Sequence, residues 1–416
     1  MILCQYADER LMKRNTLTIL FLAVFVDLVG YGMIVPLLPF YVQRVAPGAT
    51  LVGILSGLYA AAQFLVGPML GSLSDRFGRR PVLIACLSGT SLAYLLLALA
   101  DSLPLLALAL LIDGVTGGNL SIAQASIADS TTPDRRARGL GLIGAAFGLG
   151  LMAGPVLGGA LSLADLSAPA LVASALALAN TLFAVAALPE SLPPERRRSF
   201  LPDSVGPSRL GAFIHTTNPL ANLVVLLRIV AIRRLLIVVV LLNLAFSGLY
   251  SNFPLFTAAR FGWSMFENAL FFAFVGVCAV ATQGGLLGLM QRWLGDGRLA
   301  RIGMTVMAGA LVATGLAPAA WMLYPSVGLI AFGSGLAIPA LTSLLSLRVS
   351  PADQGRLMGG TAALLNLTMI AGPVVAGVSF DRAGTAAPYL IGALLGSAAL
   401  LTFALEAITP HQKATS

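Results

Sequence analysis

Two aspartates, Asp27 and Asp113, lie deep inside long apolar runs of this sequence. A carboxylate in hydrocarbon costs about 2.5–3.5 kcal/mol or more, so it persists where it has water, a partner or a function. Burial favours the neutral, protonated form of a carboxyl group, and a second carboxylate nearby favours it further. Both residues are therefore candidates for taking up and releasing a proton. The alternative is a permanently protonated or hydrogen-bonded aspartate that serves only in packing.

The elements that carry these aspartates are apolar runs of about 20 residues, the length that crosses a bilayer. Of the 416 residues, 58% are hydrophobic and only 10% are charged, whereas a soluble domain has about 25% charged residues. The sequence therefore predicts an all-α membrane protein with twelve transmembrane helices. The predicted spans are 16–42, 50–73, 82–100, 104–128, 139–162, 167–188, 235–256, 268–290, 301–317, 322–346, 357–379 and 387–407.

Lysine and arginine predict the orientation of these spans. All but three of the 25 basic residues fall in one set of alternate loops, and the exceptions are Arg44, Arg260 and Arg382. Such a bias places both termini and the long central loop in the cytoplasm of a cell (inner) membrane protein. The net charge of +8 is thereby assigned to a membrane surface, and no nucleic-acid partner is expected.

The sequence predicts three parts. An N-terminal six-helix bundle covers 12–188, a cytoplasmic linker covers 189–233, and a C-terminal six-helix bundle covers 234–408. The linker is rich in proline and contains three consecutive arginines. Its second part, 220–234, mixes basic and apolar residues, and two readings stay open: an amphipathic helix along the membrane surface or a solvated linker.

The two halves repeat one another in the same orientation. Gly71 and Gly78 recur 217 positions later as Gly288 and Gly295. Six further residues recur 218 positions later: Pro133, Arg138, Gly141, Gly154, Pro155 and Gly159 return as Pro351, Arg356, Gly359, Gly372, Pro373 and Gly377. In proteins built from such parallel repeats, the substrate site lies between the halves near the midplane.

Polar residues in the spans mark a candidate substrate cavity. They are Tyr31, Gln63, Gln124, Asn243, Tyr250, Gln283 and Asn366. Each alone is more often a hydrogen bond between helices than a ligand. Because no Lys, Arg or His lies at the depth of Asp27 and Asp113, the cavity is acidic or neutral. It therefore favours cationic or neutral amphipathic substrates.

Two groups of residues carry a family resemblance. Gly71, Asp75, Arg76, Gly78, Arg79 and Arg80 match the loop signature between helices 2 and 3 of the major facilitator superfamily. Gly141, Gly150, Gly154, Pro155, Gly158 and Gly159 resemble the fifth-helix signature of its proton-coupled antiporters. The first span resembles the twelve-span drug:proton antiporter branch, and 114–159 is similar to tetracycline/proton efflux proteins.

Each signature also has a plain physical reading. Gly78 permits a sharp turn, and the three arginines hold their loop in the cytoplasm. Topology explains the arginines as well as gating does, but it does not explain Asp75. Gly150, Gly154 and Gly158 are four residues apart and share one helix face, so close packing alone is an alternative to a role in transport.

The resemblance implies a major facilitator fold of two pseudo-symmetric six-helix bundles with alternating access. It implies proton-coupled efflux of small amphipathic compounds by a functional monomer in the lipid bilayer. It further implies a charge chain of Asp75, Arg79, Asp129 and Arg356 at the cytoplasmic gate. One departure is the stretch 110–113, which lacks the arginine that this branch usually carries before Gly114.

Three other functions fit the sequence less well. A proton-coupled or facilitative importer of a sugar or metabolite is disfavoured by the fifth-helix signature. A non-transporting receptor or scaffold is disfavoured by the intact loop signature and the two costly aspartates. An enzyme is not expected, since no nucleotide-binding loop or defensible catalytic pair is present, and no cofactor or metal is expected either.

Overall fold

A computed structural model describes residues 2–131, 133–197, 230–350 and 354–408, and within them the chain is helical and contains no strand. The helices of the first half are α1 Ile2–Ile34, α2 Leu38–Val45, α3 Ala49–Phe77, α4 Arg79–Ala98, α5 Leu103–Thr116, α6 Asn119–Ser130, α7 Pro133–Ser162 and α8 Ala168–Ala187. Those of the second half are α9 Val230–Phe261, α10 Met265–Ala281, α11 Leu287–Leu294, α12 Asp296–Gly315, α13 Leu323–Ser346, α14 Gln354–Ala383 and α15 Ala387–Ile408.

The predicted all-α membrane class is confirmed. Eleven helical segments of the described chain are long and apolar enough to cross a bilayer. The predicted span 301–317 corresponds to α12, whose first turns carry Asp296, Arg298 and Arg301. These charges shorten its apolar stretch, so it is not among the eleven, although its length of 20 residues is that of a span.

Three predicted spans are interrupted, and each interruption has a local cause. The first helix stops at Ile34, and α2 starts after a turn next to Pro36, so one continuous span over 16–42 is wrong. The fourth span breaks at Gly117 and Gly118, between α5 and α6. The eighth passes from α10 to α11 through a π-turn over Thr282–Leu286, in which the Leu287 N–H donates to the Thr282 carbonyl.

The outer surface of the helices suits a hydrocarbon solvent. Large apolar side chains stand exposed along the spans, among them Leu65, Leu182 and Leu401. Two tryptophans, Trp293 and Trp321, are exposed near helix ends. Tryptophan concentrates where a membrane meets water, so this surface is one that lipid covers.

The chain forms two compact units. The first comprises Met1–Pro47, Leu58–Asn218 and Ser264–Ala273, and the second comprises Gly48–Gly57, Pro219–Trp263 and Phe274–Ser416. The first unit thus includes the beginning of α10, which the prediction assigns to the C-terminal bundle. The second unit includes the beginning of α3, which the prediction assigns to the N-terminal bundle. The boundaries at 188 and 234 stay a prediction.

In the first unit, α1 packs against α6, α7 and α8 over a core that includes Leu20, Val24 and Ile143. The glycine face of α7 lies directly on α1. A Cβ atom added to Gly154 would come within 2.6 Å of the Val29 carbonyl oxygen, and one added to Gly150 within 2.7 Å of Leu28. Glycine at this spacing therefore sets how closely the two backbones approach.

In the second unit, α9 packs on α14 and α15, and α12 pairs with α13. The rings of Phe256 and Tyr389 lie 4.7 Å apart where α9 meets α15. A Cβ atom on Gly333 would lie 2.6 Å from the Gly303 carbonyl oxygen, so α12 and α13 also meet backbone to backbone. Small residues thus determine the packing in both units.

We expect Gly154→Val to destabilise the fold by about 1–3 kcal/mol, because the added carbons would overlap the backbone of α1. Gly144→Val, on the same helix, is the control, since a Cβ atom there meets nothing within 4 Å. The melting temperatures of the two purified variants, measured by heating samples and quantifying the remaining folded protein by size-exclusion chromatography, give the difference in stability. Equal melting temperatures for the two variants would contradict the close packing.

Candidate functional site

Asp27 is held by an asparagine from another helix. The Asn119 Nδ2 atom donates a hydrogen bond of 3.1 Å to the Asp27 Oδ1 atom and one of 3.5 Å to the Thr90 hydroxyl oxygen. The Asn119 side chain is buried, and its Oδ1 atom has no hydrogen-bond partner among the described residues. The Asn119 Nδ2 atom therefore serves as a hydrogen-bond donor to Asp27, and the Oδ1 atom of the same amide group is an acceptor that is not in use.

The break in the fourth span places Asn119 at that point. Asn119 is the first residue of α6, directly after Gly117 and Gly118. The Gln63 Nε2 atom donates a hydrogen bond of 3.0 Å to the Gly117 carbonyl oxygen, which the interrupted helix cannot satisfy in the usual way. Irregular backbone at membrane depth is tolerated where protein or a cavity surrounds it, and broken helices mark ion and substrate sites in transporters.

Asp113 lies one turn before the break and interacts electrostatically with Asp27. Both side chains are half-buried. Tyr59 lies beside Gln63 and interacts electrostatically with both carboxyl groups and with Tyr31. The structure thus gathers four predicted residues, Asp27, Asp113, Tyr31 and Gln63, around one site within the first unit. Tyr94, which is buried, joins the same group.

The other predicted cavity residues are placed differently. Gln124 is exposed on α6. Three belong to the second unit: Asn243 is buried and donates to the Val239 carbonyl of its own helix at 2.8 Å, Gln283 is exposed in the π-turn, and Asn366 is half-buried on α14. The side chain of Tyr250 lies outside the described residues.

A second cluster of charges lies where α3 meets α4. The Arg79 guanidinium contacts Asp75 at 2.6 Å and Asp129 at 2.9 Å, and it donates to the Ser74 hydroxyl at 2.6 Å. Arg79 thereby joins the end of α3 to the end of α6, which carries Asp129. The side chain of Arg356, the fourth predicted member of this chain, lies outside the described residues.

Glu190 completes the cluster and was not predicted from the sequence. Its carboxylate accepts hydrogen bonds from the backbone N–H groups of Arg79 (2.9 Å) and Arg80 (3.3 Å) at the start of α4. It also lies 3.7 Å from the Arg197 guanidinium. Gly78 has φ of +104°, and a Cβ atom there would overlap Glu190. Glycine is therefore needed at 78 both for the turn and for this cap.

The remaining residues of the two signatures divide between packed and open positions. Arg80 donates to the Val185 carbonyl at 2.5 Å, which ties its loop to α8. Gly158 packs on Met33 of α1, and Gly159 packs on Ala269 of α10. Gly71 and Gly141 have no neighbour within 4 Å of an added Cβ atom.

A cavity in the second unit is of another kind. It lies among α9, α12, α14 and α15 and is lined mainly by apolar residues, including Leu244, Val375 and Tyr389. None of the predicted polar residues lines it.

The class of the protein follows from three features described above: the carboxyl groups of the first unit, the broken fourth span and the lipid-facing surface. Together they define a polytopic helical membrane transporter.

Sequence comparison agrees with this class. Residues 20–320 match the Major Facilitator Superfamily, so the chain belongs to that family. The tetracycline resistance protein of class C from Escherichia coli is 35% identical over 88% of this chain and 89% of its own length. The class D protein from Salmonella ordonez is 33% identical over 89% and 91%.

Solved structures show the same fold. The human organic anion transporter MFSD10 (TETRAN) superposes with a TM-score of 0.69 at 26% identity, covering 94% of this chain and 99% of that one. The nucleoside transporter NupG superposes with a TM-score of 0.76 at 14% identity, covering 95% and 100%. These comparisons confirm the predicted superfamily and its fold. They also agree with the prediction that the protein is not an enzyme, because the family consists of transporters.

We expect Asp75→Asn to reduce transport about tenfold or more while the protein still folds. The exchange removes one of two charges that hold Arg79, while Asp129 and the Ser74 hydroxyl group still bind the guanidinium and keep it from being left without a partner. Asp101→Asn, an exposed loop aspartate, is the matched control. Transport by proteoliposomes measures the effect, and a well-expressed Asp75→Asn protein with normal transport would contradict a gating role.

Proposed function

We propose that this transporter exports small amphipathic neutral or cationic compounds in exchange for protons. The observation that carries the proposal is the pair of carboxyl groups, Asp27 and Asp113, which are both half-buried in the first unit and close enough for each to feel the charge of the other. The similarity to tetracycline resistance proteins along nearly the whole chain supports export. The fifth-helix glycine pattern supports it as well.

The physical basis is competition between a proton and a substrate for one site. A charged carboxylate attracts a cationic ligand, and protonation removes that attraction. By linkage, a substrate that binds the charged form expels the proton with the same coupling free energy. In the proposed scheme Asp27 and Asp113 are coupled, so that protons leave in two steps that belong to the pair rather than to either residue alone.

Asn119 serves both states of Asp27 in this scheme. Its amide group donates a hydrogen bond of 3.1 Å to the Asp27 Oδ1 atom, an interaction that suits a charged carboxylate. A protonated Asp27 needs an acceptor instead, and rotation of the amide by half a turn presents the Asn119 Oδ1 atom, which is otherwise without a partner. The arginine that this branch usually carries in the fourth helix is missing here. In the proposed scheme Asn119 is the residue of that span that donates a hydrogen bond to the carboxyl group.

The remaining features of the proposal rest on the sequence. The basic loops support cytoplasmic termini and a cell (inner) membrane location. The parallel repeat supports two six-helix bundles with the substrate between them and a monomer as the functional form. The cytoplasmic charge cluster around Arg79 supports alternating access through a gate on that side.

A second candidate is the transport of organic anions. It is favoured by the likeness to a human protein named as an organic anion transporter. Two carboxyl groups without a lysine, arginine or histidine at their depth repel an anion. We therefore place cationic and neutral compounds first.

One experiment distinguishes these candidates. Proteoliposomes carrying the purified protein are given a pH gradient, and transport is followed with tetracycline, a lipophilic cation and an organic anion as separate probes. The proposal predicts that the gradient drives tetracycline or the cation uphill. Gradient-driven movement of the anion alone would favour the second candidate, and no gradient-driven movement of any probe would contradict proton-coupled export of such compounds.

We expect Asp27→Asn and Asp113→Asn each to abolish uphill transport driven by the pH gradient, because an amide cannot exchange a proton. At least one of the variants should still bind substrate or allow downhill exchange. Proton release evoked by substrate in proteoliposomes measures the coupling. Release equal to that of the parent in both single variants and the double variant would show that the carboxyl groups are structural.

We expect Asn119→Ala to lower substrate-evoked proton release and to shift its pH profile, since Asp27 loses its partner. Asn180→Ala is the matched control. Asn180 is also a buried asparagine packed on α1, but its Nδ2 atom donates to the Ala23 carbonyl (2.8 Å) and not to Asp27. Equal pH profiles for the two variants and the parent would reduce Asn119 to a packing residue.

A further inference from the structure

Two buried polar side chains of the second unit have no hydrogen-bond partner among the described residues. They are Asn252 on α9, whose Oδ1 and Nδ2 atoms are both unpaired, and Tyr389 on α15, whose hydroxyl group is unpaired. Asn252 is 0% exposed and Tyr389 is 2% exposed. A buried polar group without a partner is costly, and the hydrocarbon of a membrane has no water to supply one. Both side chains therefore indicate a partner other than the described residues.

Both side chains lie beside the cavity among α9, α12, α14 and α15. Tyr389 is one of the residues that line it. Asn252 comes four and three positions after Gly248 and Leu249, two lining residues of α9, so it shares their helix face. The ring of Phe256, one turn beyond Asn252, lies 4.7 Å from the Tyr389 ring. The two unpaired groups therefore border the same cavity from neighbouring helices.

The rest of the cavity suits a hydrocarbon chain. Apart from Tyr389, its one polar lining side chain is Ser379, whose hydroxyl group already donates to the Ala376 carbonyl of its own helix at 2.9 Å. Val375 is 44% exposed, and Ile391 is half-buried. The walls are therefore apolar, and part of them reaches the outer surface of the spans, which lipid covers.

The sequence repeat aligns Asn252 with Ile34 of the first unit and Tyr389 with Ala170. The pairs that anchor this alignment are Gly30 with Gly248, Pro36 with Pro254, and Pro169 with Pro388. Ile34 and Ala170 are buried and apolar. The helices of the first unit are thus built with apolar residues at both positions, so the packing of such a bundle does not require Asn252 and Tyr389 to be polar.

An ester group of a membrane lipid supplies the missing partner. A carbonyl oxygen has two lone pairs, so it can accept from the Tyr389 hydroxyl group and from the Asn252 amide group together. Tyr389 is the third residue of α15 and therefore lies near an end of that span, and lipid ester groups lie where the hydrocarbon meets the headgroups. None of the lining residues is charged, so the cavity suits the chain and the ester group rather than a charged headgroup.

We propose that this cavity binds one acyl chain of a membrane lipid and that Tyr389 and Asn252 donate hydrogen bonds to its ester carbonyl group. The chain lies along the apolar walls formed by α9, α14 and α15, and the headgroup stays at the membrane surface. Lipid is thereby a ligand of the second unit as well as its solvent. The proposal goes beyond the proposed export function, because it requires no particular substrate, coupling ion or direction of transport.

Two lipids that differ in the ester group test the proposal. The purified full chain is delipidated in detergent, and its melting temperature is measured with increasing dioleoyl phosphatidylcholine or with the ether-linked analogue. The analogue keeps the chains and the headgroup but has no carbonyl group. We expect the ester lipid to raise the melting temperature at concentrations about tenfold lower than the ether lipid, the effect of the hydrogen bonds that the ether lipid lacks.

Tyr389→Phe and Asn252→Leu each remove a polar group while nearly keeping the size of the side chain. We expect each variant to lose most of the tenfold difference between the two lipids. Without lipid, each variant should be at least as stable as the parent, because an unpaired buried group has been removed. Tyr41→Phe is the matched control, since Tyr41 is a buried tyrosine of the first unit, and it should keep the tenfold difference.

Four results would overturn the proposal. Equal effects of the two lipids on the parent would show that no ester group is recognised. A difference that persists in both variants would show that the ester group binds elsewhere. A difference that is also lost in Tyr41→Phe would show a general effect of removing a buried hydroxyl group. Stabilisation by tetracycline with none by either lipid would assign the cavity to a transported compound. If one variant does not fold, the other is judged by the same criteria.

Discussion

The energetic cost of a carboxyl group in hydrocarbon is the constraint on which this structure depends. Asp27 is kept within an apolar bundle because α6 restarts beside it and presents Asn119. That restart requires the break at Gly117 and Gly118, and the break in turn requires Gln63 to satisfy a carbonyl group that the helix leaves open. The close packing of α7 on α1, where glycines of α7 contact the stretch from Leu28 to Met33 directly after Asp27, fixes the helix that carries the charge.

Much of the fold was predictable, because apolar length and basic loops report directly on the bilayer. The ends of most spans lie within a few residues of their predicted positions, and the face shared by Gly150, Gly154 and Gly158 does pack on a neighbouring helix. Each of these inferences needed only local spacing or the average properties of a segment.

The partners of the charged groups were not predictable in this way. Asn119 lies 92 positions from Asp27, and Glu190 lies 111 positions from Arg79. Their side chains are ordinary in type, and only the folded arrangement brings them to their partners. The two consecutive glycines at 117–118 are the sequence feature that indicates the broken span. Glycine is so frequent in this chain that the pair alone does not predict a break.

The π-turn over Thr282–Leu286 has a consequence for the length of the two repeats. The second span has 29 residues, and its counterpart in the other half, the eighth span, has 30. A turn that closes on the fifth residue, here from the Leu287 N–H to the Thr282 carbonyl, holds one residue more than an α-turn. It therefore absorbs the surplus residue within the span. The pairing offset between the repeats grows by one across this helix, from 216 at its start to 217 at Gly71 and Gly288.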